Sequence, residues 1–326
     1  VLLIGCSTKP EVLELSGTKM GTTYNIKVVA DQLPPEDLHK RIDKLLSVVD
    51  NTMSTYKPNS ELSRFNRMAV GQNIEISSDF AQVLQISRDI WAKSTGAFDP
   101  TVGPLVDLWG FGPNPSTNTA PSADQITAAL QTIGFQNLVL DGNNLSKTGA
   151  VELDLSAVAK GYAVDLVADM LEMLALPDYL VEVGGEVRVS GSNPEGAPWR
   201  IAIEQPQLMP SVNRIVSLNN IAVATSGDYR NYFEQQGVRY SHILDSRTGQ
   251  PIKHNLASVT VLSDSCAEAD AWATALLVMG VEENLQIAQR LNLAVYLLIK
   301  EGDTFKTLSS EQFELLSQQS ASEAIL

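Results

Sequence analysis

Two segments of this chain carry oxygen and nitrogen groups that suit a phosphorylated ligand and a metal ion. The first runs from Asp154 through Ala157 to Lys160 and Gly161. A strand ending in a carboxylate, then small residues, then a Lys-Gly pair opening a helix would direct an ammonium and backbone N–H groups toward one place, as in an anion cradle. An ordinary corner with a solvated lysine explains the same residues equally well, because no Walker or Gly-x-Gly-x-x-Gly pattern is present.

The second segment is an alanine-rich helix that begins after Ser265 and carries Asp270 and Thr274. Ser265 and Glu268 have the spacing of a capping box, and Asp270 and Thr274 lie one turn apart on one face. A carboxylate and a hydroxyl with little bulk around them match Mg²⁺, which takes few protein oxygens and leaves room for phosphate and water. The alternative is that both side chains are buried and satisfied by the backbone. The cost of burying an unpartnered aspartate favours the metal interpretation.

A histidine on a β-rich segment is the candidate general base. His242 is predicted on a strand over residues 239–244 that leads, through Asp245, into a Gly-Pro turn. The sequence has three histidines; His39 lies on the polar side of a helix and His254 in a loop. A buried strand histidine with a purely structural role is equally compatible with this pattern.

The elements that must position these groups indicate an α+β fold. Apolar residues at helical spacing predict a helix from Pro35 to Met53, a second over 79–93, a third opening at Ser122, and two more over 163–174 and 266–279. Short β-rich runs separated by Gly, Asn and Pro occupy most of the chain after residue 134. Strands outnumber crossover helices, which favours a mixed architecture over a parallel βαβ sheet. The predicted strands cover 15–29 with interruptions at Gly17 and Gly21, then 138–140, 151–155, 179–183, 187–190, 199–204, 214–217, 222–225, 239–244, 257–262 and 294–300.

The charge and composition of the chain limit which partners the protein can have. The 326 residues carry a formal net charge of −15, which argues against a general nucleic-acid or anionic-membrane surface. A dianionic ligand would be repelled unless a local cation reverses the field. Only Cys6 and Cys266 are available, so neither a disulfide framework nor a cysteine metal site is expected.

The first residues suggest export. Val1 to Gly5 form a short apolar stretch before Cys6, and polar residues follow. This pattern resembles the lipobox of bacterial lipoproteins, with Cys6 as the lipidated residue and the sequence beginning inside a signal peptide. A buried cysteine in an apolar strand is the alternative. We therefore expect a lipobox and tether over 1–15 and one domain over 16–326, with a division into two intertwined subdomains left open.

From about Gly17 to Leu298 the chain resembles the FAD:protein FMN transferases, the ApbE family of flavin-trafficking lipoproteins. No single motif is decisive, but eight of them recur in order. They are residues 20–24, 53–56, 96–105, 154–165, 184–186, 224–229, 242–249 and 269–275.

The resemblance implies a fold of the same type, mainly antiparallel with packed helices, and a set of site residues. By resemblance, Mg²⁺ is held by Asp270, Thr274 and the backbone oxygen of Ala157. The residues that would line the FAD site are Met20, Tyr56, Ala97, Phe98, Asp99, Asp154 and Lys160. From the residues alone, a lysine near a helix start suits phosphate and an aromatic ring suits stacking, whereas a methionine carries no such argument.

The implied activity is Mg²⁺-dependent transfer of FMN from FAD to a Thr or Ser hydroxyl of a redox protein, with release of AMP. His242 would activate the hydroxyl and Asp245 would orient His242. The family's acceptors are subunits of membrane redox complexes with a Ser/Thr-Gly-Ala-Thr motif; here Phe98 follows Ser94 to Ala97, so self-flavinylation is not expected. The alternatives are a Mg²⁺-dependent FAD pyrophosphatase and a non-catalytic FAD-binding lipoprotein. The expected location is the periplasmic side of the bacterial cell envelope, anchored through Cys6.

Overall fold

A computed structural model describes residues 11–30, 34–112, 119–205, 211–228, 232–235 and 237–322. Its helices are α1 (Leu38–Met53), α2 (Glu61–Asn66), α3 (Ser78–Lys93), α4 (Gly103–Leu108), α5 (Ala123–Leu130), α6 (Ala159–Met173), α7 (Cys266–Leu291) and α8 (Glu311–Ser322). Its strands are β1 (Glu11–Lys19), β2 (Thr22–Ala30), β3 (Asn73–Glu75), β4 (Leu138–Asp141), β5 (Asn144–Lys147), β6 (Asp178–Val183), β7 (Glu186–Ser190), β8 (Trp199–Gln205), β9 (Ser211–Leu218), β10 (Ile221–Gly227), β11 (Tyr232–Gln235), β12 (Val238–Ser241), β13 (Leu244–Asp245), β14 (Gln250–Pro251), β15 (Leu256–Ser263), β16 (Ala294–Glu301) and β17 (Thr304–Ser309).

An eight-stranded sheet with the order β1-β2-β6-β7-β10-β15-β16-β17 is the centre of the fold. Every neighbouring pair in it is antiparallel. The α+β prediction with mainly antiparallel sheets is therefore confirmed. In the described part of the chain, no helix is long and apolar enough to span a bilayer.

Both faces of this sheet are covered, as β16 shows directly. Val295 and Leu297 point into a core shared with α1, α3, α6 and α7, whereas Tyr296 and Leu298 point into a second core with β8, β9 and α8. Alternate side chains of a strand face opposite sides, so a strand buried on both faces reads as a continuous apolar run. A third, smaller core surrounds Trp109 of the α4–α5 region.

The first helix confirms the periodicity and corrects its start. The buried residues of α1 include Leu38, Ile42, Leu46 and Val49. Pro35, predicted as the first helical residue, instead accepts the Leu38 N–H at 2.9 Å in a preceding turn. The helix therefore begins three residues later than predicted.

The described chain starts with β1, which pairs with β2 from Glu11 onward. Residues 11–15, assigned to the tether from the sequence, are therefore part of the sheet. Gly17 does not interrupt the strand: it pairs with Tyr24, and a Cβ on it would lie 2.6 Å from the Tyr24 hydroxyl. Cys6 and the predicted lipobox lie outside the described residues.

Residues 151–155, predicted as a strand, form an extended segment held mainly by side chains and loops. A single parallel bridge joins Val102 to Glu152. The Asn66 amide donates to the Leu153 carbonyl at 2.9 Å and its oxygen accepts the Leu153 N–H at 2.8 Å. The Asp154 N–H donates to Pro100 at 2.7 Å. The alternation of buried residues is that of a strand, but loops occupy the places of neighbouring strands.

Candidate active site

A cavity of about 560 Å³ lies where the two chemically interesting segments meet. This volume is in the range of small-molecule sites. Its lining includes ten of the eleven residues predicted for the site: Tyr56, Ala97, Phe98, Asp99, Asp154, Ala157, Lys160, His242, Asp270 and Thr274. The structure therefore brings together residues from five distant parts of the chain.

Met20 is not among the lining residues. It occupies the turn between β1 and β2 with φ of 54°, a left-handed conformation that is uncommon for a bulky side chain, and packs partly buried against the main core. Thr22, two residues later, lies against Gly184, next to the Lys160 side chain. The hairpin thus reaches the region of the site, but a contact of Met20 with a ligand stays a prediction.

Close backbone contact between α6 and α7 aligns the two segments. A Cβ at Gly161 would lie 2.2 Å from the Cys266 carbonyl oxygen, so only glycine allows the helices to approach this closely. At this crossing the Gly161 N–H donates to Asp270 Oδ2 at 3.1 Å. The Lys-Gly pair that opens α6 therefore contacts the aspartate of α7 directly.

Asp165, one turn further along α6, forms hydrogen bonds with the N-terminus of α7. Its carboxylate accepts the Cys266 and Ala267 N–H groups at 2.9 and 3.0 Å and the Ser265 hydroxyl at 2.8 Å. Arg188 Nη1 pairs with it at 3.0 Å. A carboxylate at a helix N-terminus satisfies free N–H groups and complements the helix dipole. Asp165 thereby fixes the register of α7 relative to α6.

We expect Asp165→Ala to lower the free energy of unfolding by about 3–5 kcal/mol, because it leaves two buried N–H groups and the Ser265 hydroxyl without their acceptor and removes the least exposed of the three carboxylates paired with Arg188. Urea denaturation followed by circular dichroism measures the change. Asp169→Ala is the matched control: it also pairs with Arg188, at 3.2 Å, but its side chain is 56% exposed, so a loss below about 1 kcal/mol is expected. Equal losses in the two variants would contradict the role given to Asp165.

Lys160 lies between two buried carboxylates. Its Nζ is 2.8 Å from Glu186 Oε1 and 3.6 Å from Asp270 Oδ2. Burial opposes the charge on Lys160, but Asp270 and Glu186 outweigh it and raise the lysine pKa. Lys160 is therefore a permanently charged donor at the cavity wall, as a phosphate contact requires.

Glu186 is the site residue that sequence reasoning missed. It is 4% exposed and lines the cavity, and among the residues that the structure describes its Oε2 has no hydrogen-bond partner. Burial raises its pKa to about 7, against the attraction of Lys160 and with the repulsion of Asp270. Its place directly after Gly184 and Gly185 was the available signal, because paired glycines let the chain turn a side chain into a crowded cavity.

The raised pKa of Glu186 gives a pH-dependent stability in the metal-free protein. Between its ordinary pKa of 4.5 and about 7, the native state holds the proton more tightly than the unfolded state. The stabilisation is complete below about 4.5 and is lost as pH rises through about 7. In the presence of EDTA, the free energy of unfolding of the wild type should fall between pH about 4.5 and about 7. We expect Glu186→Gln to make this fall smaller by roughly 1–3 kcal/mol. Urea titrations at pH 5, 6, 7 and 8 measure it, and parallel curves for the two proteins would show that Glu186 ionises normally.

The groups around Asp270 suit a divalent cation. Two carboxylates face one ammonium, so the buried cluster carries excess negative charge once Glu186 ionises. Thr274 adds a hydroxyl, which lies 2.9 Å from the Ser226 hydroxyl and forms a hydrogen bond with it. Ala157 lines the same cavity. No group of three or more His, Cys, Asp or Glu side chains that could hold a metal occurs among the described residues. A hard cation with one carboxylate, one hydroxyl and one backbone carbonyl fits this donor set and would leave positions for phosphate and water.

The loop over 96–99 forms another wall, and Asp99 builds that loop. Its Oδ1 accepts the Thr101 N–H and hydroxyl at 2.9 and 2.6 Å, and its Oδ2 accepts the Phe135 N–H at 3.2 Å. Burial raises the Asp99 pKa, and these hydrogen bonds act against it. The carboxylate oxygens are thus engaged within the protein, so Asp99 shapes the wall that Ala97 and Phe98 present.

His242 lies in a bend between β12 and β13 and not on a strand, which corrects the prediction. The two short strands belong to different sheets, so the chain must turn between them. The ring lines the cavity and makes an edge contact with Phe111, with centroids 6.2 Å apart. The bend is what turns the imidazole toward the site.

Asp245, predicted to orient His242, pairs with Arg247. The Arg247 guanidinium contacts its two oxygens at 2.9 and 3.0 Å. Asp228, directly after β10, is a carboxylate that interacts electrostatically with His242. Burial raises the pKa of Asp228, and Arg239, His254 and His242 oppose the shift. Asp228 is therefore close enough to His242 for their charges to interact, and an orienting role for Asp245 stays a prediction.

The chain is similar to known proteins over nearly its whole length. The ApbE family model matches residues 20–297. Proteins named FAD:protein FMN transferase are similar over nearly full length: that of Vibrio cholerae is 44% identical, covering 96% of this chain and 95% of its own, and that of Haemophilus influenzae is 44% identical, covering 97% and 94%. The crystal structure of the Pseudomonas stutzeri flavinyl transferase ApbE, apo form, superposes with a TM-score of 0.89 at 42% identity, covering 95% of this chain and 98% of that one.

Proposed function

Since this chain belongs to the ApbE family, we propose that it is a flavin transferase that moves FMN from FAD to a hydroxyl group of another protein. The observation that supports the proposal is the set of residues that line one cavity. Lys160, Asp270 and Thr274 form a cluster suited to a pyrophosphate and its cation, and His242 lines the same cavity as a group capable of taking a proton.

FAD would be bound by residues on several walls. Lys160 would contact the pyrophosphate, whose charge its ammonium complements. Tyr56, 73% exposed, would stack on a ring of the ligand, beside the wall that Ala97 and Phe98 form. Asp154 lies at the corner before α6, where its Oδ1 accepts the Ser156 N–H at 2.8 Å.

Mg²⁺ would be held by Asp270, Thr274 and the backbone oxygen of Ala157. When bound, it neutralises charge on the pyrophosphate and makes the phosphorus more electrophilic. Lys160 keeps its own charge in place through Glu186, so phosphate neutralisation does not depend on the cation alone.

The reaction moves one proton and exchanges one P–O bond. The oxygen of a Thr or Ser side chain of the acceptor attacks the phosphorus on the FMN side of FAD. His242 takes the hydroxyl proton, the bridging P–O bond breaks, and AMP leaves with the bridging oxygen. The product is FMN joined to the acceptor by a phosphoester. A His able to accept the proton is what separates this site from one that only stores FAD.

The test is incubation with FAD, Mg²⁺ and a redox subunit that carries a Ser/Thr-Gly-Ala-Thr motif. Mass spectrometry is expected to show the acceptor heavier by one FMN, with AMP formed in equal amount. Free FMN and AMP with an unmodified acceptor would instead identify a pyrophosphatase, in which water replaces the hydroxyl.

Location and anchoring belong to the same proposal. The lipobox-like residues before Cys6 support lipidation of that cysteine and attachment at the periplasmic side of the cell envelope. Metabolic labelling with a fatty acid, compared between the wild-type chain and Cys6→Ser in a full precursor, tests it; equal labelling would exclude lipidation at Cys6.

A further inference from the structure

The β8–β9 hairpin has one face in the core and one face outside. Trp199, Ile203, Val216 and Leu218 point inward and are buried with residues of β16 and α8. An outer strand face in contact with water normally carries polar side chains. Apolar side chains on the outer face of this hairpin therefore need an explanation.

Two β-branched residues of β9 lie on that outer face. Ile215 is 50% exposed and Val212 is 55% exposed. Ile215 pairs with Ala202 of β8, and Val212 pairs with Glu204, so each shares a side of the hairpin with its partner.

A bulge explains how both come to the same side. Residues 212 and 215 are three apart and would face opposite ways in a regular strand. The pairing register shifts between Ile203 and Glu204, which leaves Asn213 as the extra residue of β9. Asn213 accepts the Tyr296 hydroxyl at 2.6 Å and Arg214 pairs with Glu314 at 2.7 Å, so both of these intervening side chains point to the core side.

This apolar surface continues into the cavity. Ala202 and Glu204, the partners of Ile215 and Val212, line the same cavity as His242. Within the described residues β8 pairs only with β9, so its other edge over 199–203 offers backbone N–H and C=O groups to an extended chain. A protein whose hydroxyl must reach His242 would meet this hairpin beside the cavity.

We propose that the outer face of the β8–β9 hairpin binds the acceptor protein. The acceptor lies against the hairpin as an extended segment, with an apolar side chain covering Ile215 and Val212 and with the reacting hydroxyl entering the cavity past Ala202. This inference rests on the proposed transferase function. The inference adds a surface that favours a protein hydroxyl over water as the acceptor of FMN.

The experiment compares Ile215→Glu and Val212→Glu with Val139→Glu. Val139 is also a β-branched strand residue, is 47% exposed and lines neither the cavity nor the hairpin, so all three changes add the same charge to a similar position. The acceptor is a redox subunit with a Ser/Thr-Gly-Ala-Thr motif, titrated at saturating FAD and Mg²⁺. We expect the hairpin variants to raise KM for the acceptor about tenfold or more, a change of about 1.4 kcal/mol, with kcat and FAD affinity unchanged and Val139→Glu like the wild type.

Two further readouts separate the inference from the function it rests on. Affinity of the acceptor for the enzyme without FAD, measured by biolayer interferometry, is expected to fall in the hairpin variants alone. If the wild type modifies no acceptor, the transferase function fails, and the binding measurement still judges the surface. Equal acceptor KM and affinity in the hairpin variants and Val139→Glu would mean that β-branched residues stand there only for strand propensity, and the inference would be overturned.

Discussion

Asp270→Ala is expected to reduce FMN transfer by about 10³-fold or more, because the change removes the only carboxylate assigned to Mg²⁺. It also leaves the Gly161 N–H without its acceptor and Lys160 without one of its two counter-charges. Lys160 then stays paired with Glu186 and is less available to the pyrophosphate. The rate of adduct formation, measured at several Mg²⁺ concentrations, reports the loss of activity.

The metal assignment is tested apart from activity by isothermal titration of Mg²⁺ into the variant. Asp270→Ala is expected to bind Mg²⁺ at least tenfold more weakly than the wild type, while Asp270→Asn, of nearly the same shape, separates loss of charge from loss of packing. Glu268→Ala is the matched control, since Glu268 lies on the same helix but is exposed and lines no part of the cavity. Unchanged Mg²⁺ affinity in both Asp270 variants would place the cation elsewhere.

Local sequence rules predicted the parts of the site that depend on one element. Ser122 and Ser265 both cap helices through their side chains, at the positions where the sequence predicted these helices to begin. The helix predicted to end at residue 279 is interrupted there by Gly280, with φ of 72°, but α7 continues to Leu291. Asp270 and Thr274 share a helix face because the helix itself puts them there, and no tertiary information is needed for that.

The errors concern residues whose position depends on distant elements. Asp245 is near His242 in sequence and pairs with Arg247, whereas Asp228, which follows β10, interacts electrostatically with the imidazole and was not predicted to do so. Glu186 faces Lys160 across 26 residues of sequence, because β7 lies beside β10 under α6 and α7. Spacing along one chain cannot reveal such pairs, since they arise from strand order in the sheet.

The extended segment before α6 is an intermediate case. Its alternation of buried residues was correctly recognised, but Asn66 and Pro100 provide the hydrogen bonds that a neighbouring strand would otherwise supply. The hydrophobic pattern of a sequence shows which side chains are buried. It does not show which groups form hydrogen bonds with the backbone N–H and C=O groups. Asp154 therefore enters the cavity from a loop-bound segment, where its position is set by residues far away in sequence.

His242→Gln is expected to lower the rate of FMN transfer by about 10²–10⁴-fold, because glutamine can hydrogen-bond but cannot accept the hydroxyl proton at neutral pH. The affinities for FAD and Mg²⁺ are expected to stay near the wild-type values, since Lys160, Asp270 and Thr274 are untouched. Transfer under single-turnover conditions, with flavin fluorescence for FAD binding, measures the two effects separately. His39→Gln is the control, because His39 lies on α1, shares a hydrogen bond with Tyr24 of β2, and lines neither the cavity nor the hairpin.

The combination of readouts decides between the three functions considered for this chain. If His242 is the base, the variant binds FAD normally, transfers slowly, and regains part of its rate with added imidazole. A pyrophosphatase would lose FAD cleavage in the same variant but give no adduct in the wild type. A storage protein would show no turnover in either protein, since binding of FAD requires no proton acceptor. Wild-type transfer rates in His242→Gln would remove the imidazole from the mechanism and leave the proton to another group, of which the buried Glu186, with its pKa of about 7, is the first to examine.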